Sequence, residues 1–127
     1  MTDDIKVLLK KAETATENAY APYSGYKVGA ALLTATGEIF TGCNVENASY
    51  GLTVCAERIA VFNAVSEGFR NFKAIAIFAD GEKLPSPCGA CRQVLSEFSD
   101  NLTVVFANRK TMKETDLKTL LPDTFKI

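Results

Sequence analysis

The sequence predicts a single three-layer α/β/α domain spanning residues 1–127, built on a mixed five-stranded sheet. Three observations carry this expectation. A helical pattern opens the chain and two short apolar strands with a tight turn between them follow. Helix and strand patterns then alternate to the end. Residues 73–79 are almost unbroken apolar, the mark of a central strand covered on both faces.

Taken in order, Asp3 and Asp4 open the first helix, because negative charge suits a helix N-terminus. Leu8, Ala12, Ala15 and Ala19 recur at helical spacing as its buried face. Tyr20-Ala21-Pro22 ends it, since a residue before proline avoids the helical region. A loop at residues 23–26 leads to a buried strand at residues 28–34, a turn at 35–37, and a second strand at 38–43. Thr53 is the expected cap of a helix that runs to about Glu67 and stops at Gly68. Ala56, Ile59, Ala60, Phe62 and Val65 give it a wide apolar face. After the strand at 73–79, Ser86 caps and Pro87 starts a helix that continues through Val94, Leu95 and Phe98. A strand at 102–107, a short strand at 112–114, and a last helix at 117–121 complete the chain. Asp116 caps that last helix and Pro122 ends it.

Composition narrows the function. Hydrophobic residues make up 47% of the 127, which supports one globular core. The 14 basic and 15 acidic side chains are dispersed and form no Lys/Arg run, which argues against a surface that tracks nucleic-acid phosphates. Apolar runs are strand-length, so no membrane span is expected. The acidic start Met1-Thr2-Asp3-Asp4 lacks the layout of an export signal. With no such signal, four cysteines point to reduced thiols or metal ligands in a cytoplasmic protein. There is no histidine, so a metal site must use cysteine and carboxylate.

Two stretches meet that condition. Cys55 and Glu57 stand two residues apart, and Cys88 and Cys91 form a Cys-x-x-Cys pair. Both stretches fall at expected helix starts, where partial positive charge favours thiolate. Three thiolates with a free carboxylate nearby suit a zinc site that keeps its fourth position for water. Singly, each residue has a plainer reading: a lone cysteine packs as a small hydrophobe, and a lone helical glutamate is solvated. Cys43 as a fourth ligand would close the site and make it structural. Its place on a strand between Gly42 and Asn44 favours simple packing instead.

Thr53-Val54-Cys55-Ala56-Glu57 together with Pro87-Cys88-Gly89-Ala90-Cys91 resembles the short-chain, homotetrameric, zinc-dependent cytidine deaminases. The likeness extends over Ala21-Pro22-Tyr23-Ser24, Val28 to Leu32, Asn44 to Gly51, Ser86 to Phe98, and Leu120-Leu121-Pro122. It implies one Zn²⁺ per subunit, held by Cys55, Cys88 and Cys91. It also implies hydroxide attack at C4 of the cytosine ring of cytidine or 2′-deoxycytidine, releasing ammonia, with Glu57 carrying the proton. Asn44 and Glu46 would then bind the ribose, with Tyr26 and Ala56 beside the base. Ala48, Tyr50 and Phe125 would approach substrate across a subunit interface. Arg58 would balance the thiolate charge, three residues after Cys55 on one helix face, with Gln93 as a further donor. The implied setting is pyrimidine salvage in the cytoplasm, with a nucleoside as partner and neither nucleic acid nor membrane. Two departures stand out: Tyr26-Lys27 replaces the family's frequent Phe-Pro, and Cys43 is an unexpected thiol. A deaminase of a blasticidin-type cytosine antibiotic, a nucleic-acid-editing deaminase and a non-catalytic zinc module are the competing readings. A basic channel with stacking aromatics would mark the second of these.

Overall fold

The computed structural model describes residues 2–127. Helix α1 (Asp3–Ala15) is capped by Thr2, whose Oγ1 accepts from the Ile5 N–H at 3.3 Å. Ile5, Leu8 and Ala12 form its buried stripe. The sequence expectation carries this helix on to Ala19, but the α-helix stops at Ala15 and a 3-10 turn (Thr16–Asn18) follows. Local hydrogen bonding explains the difference. The Thr16 hydroxyl donates back to the Glu13 carbonyl at 2.6 Å, and Ala19 is extended so that the Tyr20 N–H reaches the Asn44 carbonyl at 3.0 Å.

Strands β1 (Val28–Thr34) and β2 (Ile39–Cys43) form an antiparallel hairpin. Strand β3 (Phe72–Ala79) pairs with β1 antiparallel and with β4 (Thr103–Ala107) parallel. Strand β5 (Met112–Asp116), two residues longer than the sequence expectation, closes the far edge. The result is the mixed five-stranded sheet expected, in the order β2-β1-β3-β4-β5.

Helices α2 (Ala56–Ser66), α3 (Gly89–Glu97) and α4 (Leu117–Leu120) cover the face opposite α1. Alternation along β1 feeds both layers: Ala31 and Leu33 face α1, whereas Ala30 and Leu32 face the α2–α3 side. On that side Leu32, Ile75, Ile77, Leu95 and Val104 are fully buried. Each such side chain contributes roughly 1.5–3 kcal/mol on removal from water.

Two glycines let helices sit directly on strand backbone. A Cβ on Gly29 would lie 1.9 Å from the Ala12 carbonyl oxygen of α1. A Cβ on Gly42 would lie 2.5 Å from Ala60 N and 2.6 Å from Ala56 O of α2.

Helix α2 corrects two expectations. Thr53 is not its cap. Cys55 takes that position, and the Thr53 hydroxyl accepts from the Asn47 N–H at 3.1 Å instead. Phe62, expected on the buried face, is 48% exposed, because α2 lies over β1 and the edge strand β2 and has no further layer outside it. Likewise Cys88, not Ser86, is the cap of α3. Asp116 caps α4 as expected, accepting from the Thr119 N–H at 2.8 Å. The expected stop at Gly68 also holds, with φ at +97°.

A metal centre beside a buried carboxylate

Sheet direction gathers the site. Since β1 runs antiparallel to both β2 and β3, the latter two run the same way and end at one edge. The chain leaving β2 reaches Cys55, and the chain leaving β3 reaches Cys88. A small bridge stitches the first of these connections. Val45 and Val54 exchange N–H···O bonds at 2.9 and 3.0 Å, and Tyr20 pairs alongside Val45.

Cys55 and Cys88 are the N-cap residues of α2 and α3, and neither thiol caps its own helix. Both sulfurs are therefore free to meet at the two positive helix ends. Cys55 Sγ lies 3.9 Å from Cys88 Sγ, Cys88 Sγ lies 3.5 Å from Cys91 Sγ, and all three fall within 4.8 Å of one another. Tetrahedral zinc with bonds of about 2.3 Å holds its sulfurs about 3.8 Å apart, so the trio fits that ion. Cys43 lies outside the cluster, half-buried on β2 opposite Gly29.

Electrostatics follow from this crowding. Cys55 is brought down to about 5, chiefly by its hydrogen bond with Cys91 and then by Arg58. Cys91, fully buried, is pushed up because it supplies that hydrogen bond and because it is shielded from water. Arg58 Nη2 lies 3.5 Å from Cys55 Sγ and 3.5 Å from the Thr53 carbonyl, while its buried Nε has no partner among the described residues. Glu57 is only 5% exposed, and burial drives its carboxyl up to about 7.

Glu57, Cys55 and Cys88 line a pocket of about 240 Å³ together with Tyr26, Asn44, Glu46 and Ala56. Asn44 is largely engaged in holding the wall, accepting from the Val28 N–H at 2.9 Å and donating to the Tyr26 carbonyl at 2.8 Å. Glu46 accepts from the Tyr23 N–H at 2.9 Å, from the Ser24 N–H at 3.2 Å, and from the Ser24 hydroxyl. The Ser24 hydroxyl bond holds its carboxyl below the usual range. A larger groove of about 450 Å³ lies between α1 and the β4–β5 turn, remote from the thiols.

The remaining expected residues lie elsewhere. Tyr50 and Phe125 are 78% and 69% exposed, and neither they nor Ala48 line this pocket. Gln93 donates to the Phe125 carbonyl at 3.2 Å rather than to a cysteine sulfur.

Sequence reasoning passed over Arg92, which donates from Nε to the Pro87 carbonyl at 2.7 Å and from Nη1 to the Leu120 carbonyl at 2.8 Å. It also passed over Ser24 and Asn108. The one local signal was Arg92 standing four residues after Cys88.

Comparison with known proteins agrees with this geometry. The family described as cytidine and deoxycytidylate deaminase zinc-binding region matches residues 2–107. A cytidine deaminase of Sporosarcina psychrophila is 50% identical over 124 residues, 96% of this chain and 91% of that protein. The crystal structure of cytidine deaminase from Burkholderia pseudomallei superposes with a TM-score of 0.91 at 50% identity, covering 98% of this chain and all of that one. A blasticidin-S deaminase of Bacillus cereus is more distant, 34% identical over 90% of this chain and 89% of that protein.

Proposed function

Because the chain belongs to the cytidine and deoxycytidylate deaminase family, we propose that it hydrolyses cytidine and 2′-deoxycytidine to the uridine nucleosides and ammonia. The observation that carries this reading is a buried carboxylate, Glu57, in one pocket with the metal-binding thiols. A non-catalytic zinc module would have no use for that costly burial. The blasticidin reading is the weaker one, since the relative so named is the more distant.

Cys55, Cys88 and Cys91 would hold one zinc ion, which when bound would lower the pKa of water for attack. The chain's own residues do the rest. Glu57 takes the proton of the incoming water on its carboxylate. It delivers that proton to N3 of the ring, then takes the second proton from the hydroxyl now on C4 and gives it to the amine, so the C4–N bond breaks as the C4 carbonyl forms and ammonia leaves. Deep burial keeps bulk water from short-circuiting the transfer. Tyr26 and Ala56 flank the base, and Asn44 and Glu46 offer an amide and a carboxylate to the sugar diol. Arg58 offsets the thiolates through Nη2, which reaches Cys55 Sγ.

One domain bears the site, and the working form is a homotetramer. Support for assembly comes from Leu52, Tyr50, Phe62 and Phe125, large apolar side chains 48–78% exposed. Ala48, Tyr50 and Phe125 then meet a neighbour's nucleoside. Gln93 contributes by steadying Phe125. The reaction consumes a free nucleoside, as in pyrimidine salvage, and the four unpaired thiols fit a reducing cytoplasm.

Ammonia release tests the activity. Cytidine should be turned over, blasticidin S should not, and chelation should abolish the reaction until zinc returns. Turnover of blasticidin S alone would overturn the assignment. Deleting residues 124–127 should weaken nucleoside binding without releasing zinc, and sedimentation of an active monomer would refute the tetramer.

A further inference from the structure

Asn108 follows β4 and is 8% exposed. All of its amide's hydrogen-bonding capacity is used. Its Oδ1 accepts from the Lys110 and Thr111 N–H groups at 2.9 and 2.8 Å, which shapes the β4–β5 turn. Its Nδ2 donates to the Gly81 carbonyl at 2.9 Å and the Glu82 carbonyl at 3.2 Å. These last two bonds cross to the loop between β3 and α3. Nothing in the proton transfer needs them.

The other side of that loop touches the pocket. The Tyr26 ring lies against Gly81 so closely that a Cβ there would come 2.9 Å from its Cε1. The Tyr26 hydroxyl donates to the Lys83 carbonyl at 3.2 Å. Residues 81–83 are thus gripped between Asn108 and Tyr26.

The far end of the loop is anchored separately. Arg92 holds the Pro87 carbonyl and, through Nη2 at 3.1 Å, the Ser86 hydroxyl. Cys88 therefore keeps its place without help from Asn108.

We infer that Asn108 is a positioning residue for the base-binding wall: through residues 81–83 it fixes the angle of the Tyr26 ring and leaves the metal ligands untouched. This rests on the reading above that Tyr26 flanks the base. Tyrosine at this position makes the device necessary. Its hydroxyl needs a partner in a half-buried site, and the Lys83 carbonyl supplies one only while the loop is held still.

The decisive variant is Asn108→Asp. Its two carboxylate oxygens still accept from Lys110 and Thr111, but they cannot donate to the loop carbonyls. With cytidine, KM should rise about fivefold to tenfold, kcat should stay within about twofold, and the zinc content should remain one per chain. Gly81→Ala, which pushes the ring from the loop side, should raise KM in the same way with Asn108 intact. On a Tyr26→Ala background, Asn108→Asp should add no further rise in KM. An unchanged KM in both Asn108→Asp and Gly81→Ala, with Tyr26→Ala impaired, would overturn the inference alone. So would an equal added rise on the Tyr26→Ala background. A normal KM in Tyr26→Ala would overturn the underlying reading of the wall and the inference with it.

Discussion

Replacing Gly42 by alanine should damage the active site from a strand that contributes nothing to the chemistry. The added Cβ would meet Ala60 N at 2.5 Å, Ala56 O at 2.6 Å and Ile59 Cβ at 2.9 Å. The first two are backbone atoms of α2 and cannot swing aside as a side chain would. Relief to ordinary contact near 3.4 Å therefore requires strand and helix to part by about 0.9 Å. Overpacking of this kind costs about 1–3 kcal/mol, and a rigid backbone places it toward the upper end, about 3 kcal/mol. The shift falls on the first turn of α2, directly beside Cys55 and Glu57. Misplacing reacting groups by about 1 Å costs about 100-fold in rate. Gly42→Ala should then lose about 3 kcal/mol in urea unfolding and about 100-fold in kcat per folded molecule, with weakened zinc retention. Gly29→Ala is the control. Its Cβ would collide with the Ala12 carbonyl of α1, a helix that carries no site residue, so stability should fall while kcat per folded molecule holds. A Gly42→Ala protein with ordinary stability and turnover would refute the argument, as would equal loss of kcat in both variants.

Glu57→Gln should keep fold and zinc while lowering turnover by about 10²–10⁴-fold, read by ammonia release alongside metal analysis; near-normal turnover would sink the proton-carrier role. Arg58→Gln should retain zinc, lower kcat about tenfold, and move the acid limb of the activity profile to higher pH, because the thiolate charge is then less well offset. Adding Cys55→His to it should recover part of the loss, and an unmoved profile in Arg58→Gln would show that Arg58 does not balance the site. Glu38 tests stability against pH. The Thr34 and Thr36 hydroxyls hold its carboxyl below the ordinary value of 4.5, so its contribution is complete above that value and lost as pH falls through the lower folded one. Glu38→Gln should therefore flatten the acid side of the stability profile in urea titrations, and parallel profiles would discount these bonds.

The parts of the site legible in the sequence were those whose chemistry survives without topology. Three cysteines and a glutamate announce a metal centre by residue type and spacing, wherever the sheet places them. The strand at 73–79 was equally plain, because a fully covered strand leaves no polar side to confuse its period. Thr53 misled because local capping preference is blind to partners. Thr53 and Val54 are drawn out straight to reach Asn47 and Val45, which delays the helix to Cys55. Phe62 misled because helical spacing defines a face but not what lies against it. Asn108 and the reach of Arg92 to Leu120 were hidden for a simpler reason. The partners at Leu120, Gly81 and Glu82 are 26 to 28 residues away, and only the folded chain brings them near.

The three ligands also differ in how they meet water. Cys88 is exposed, Cys55 half-buried and Cys91 fully covered. The centre therefore has a doorway and a back wall. From solvent, Cys88 would be the first of the three ligands within reach and Cys91 the last. Cys88 is likewise the sulfur most open to chelators and oxidants, and the back wall at Cys91 is the one closed to them.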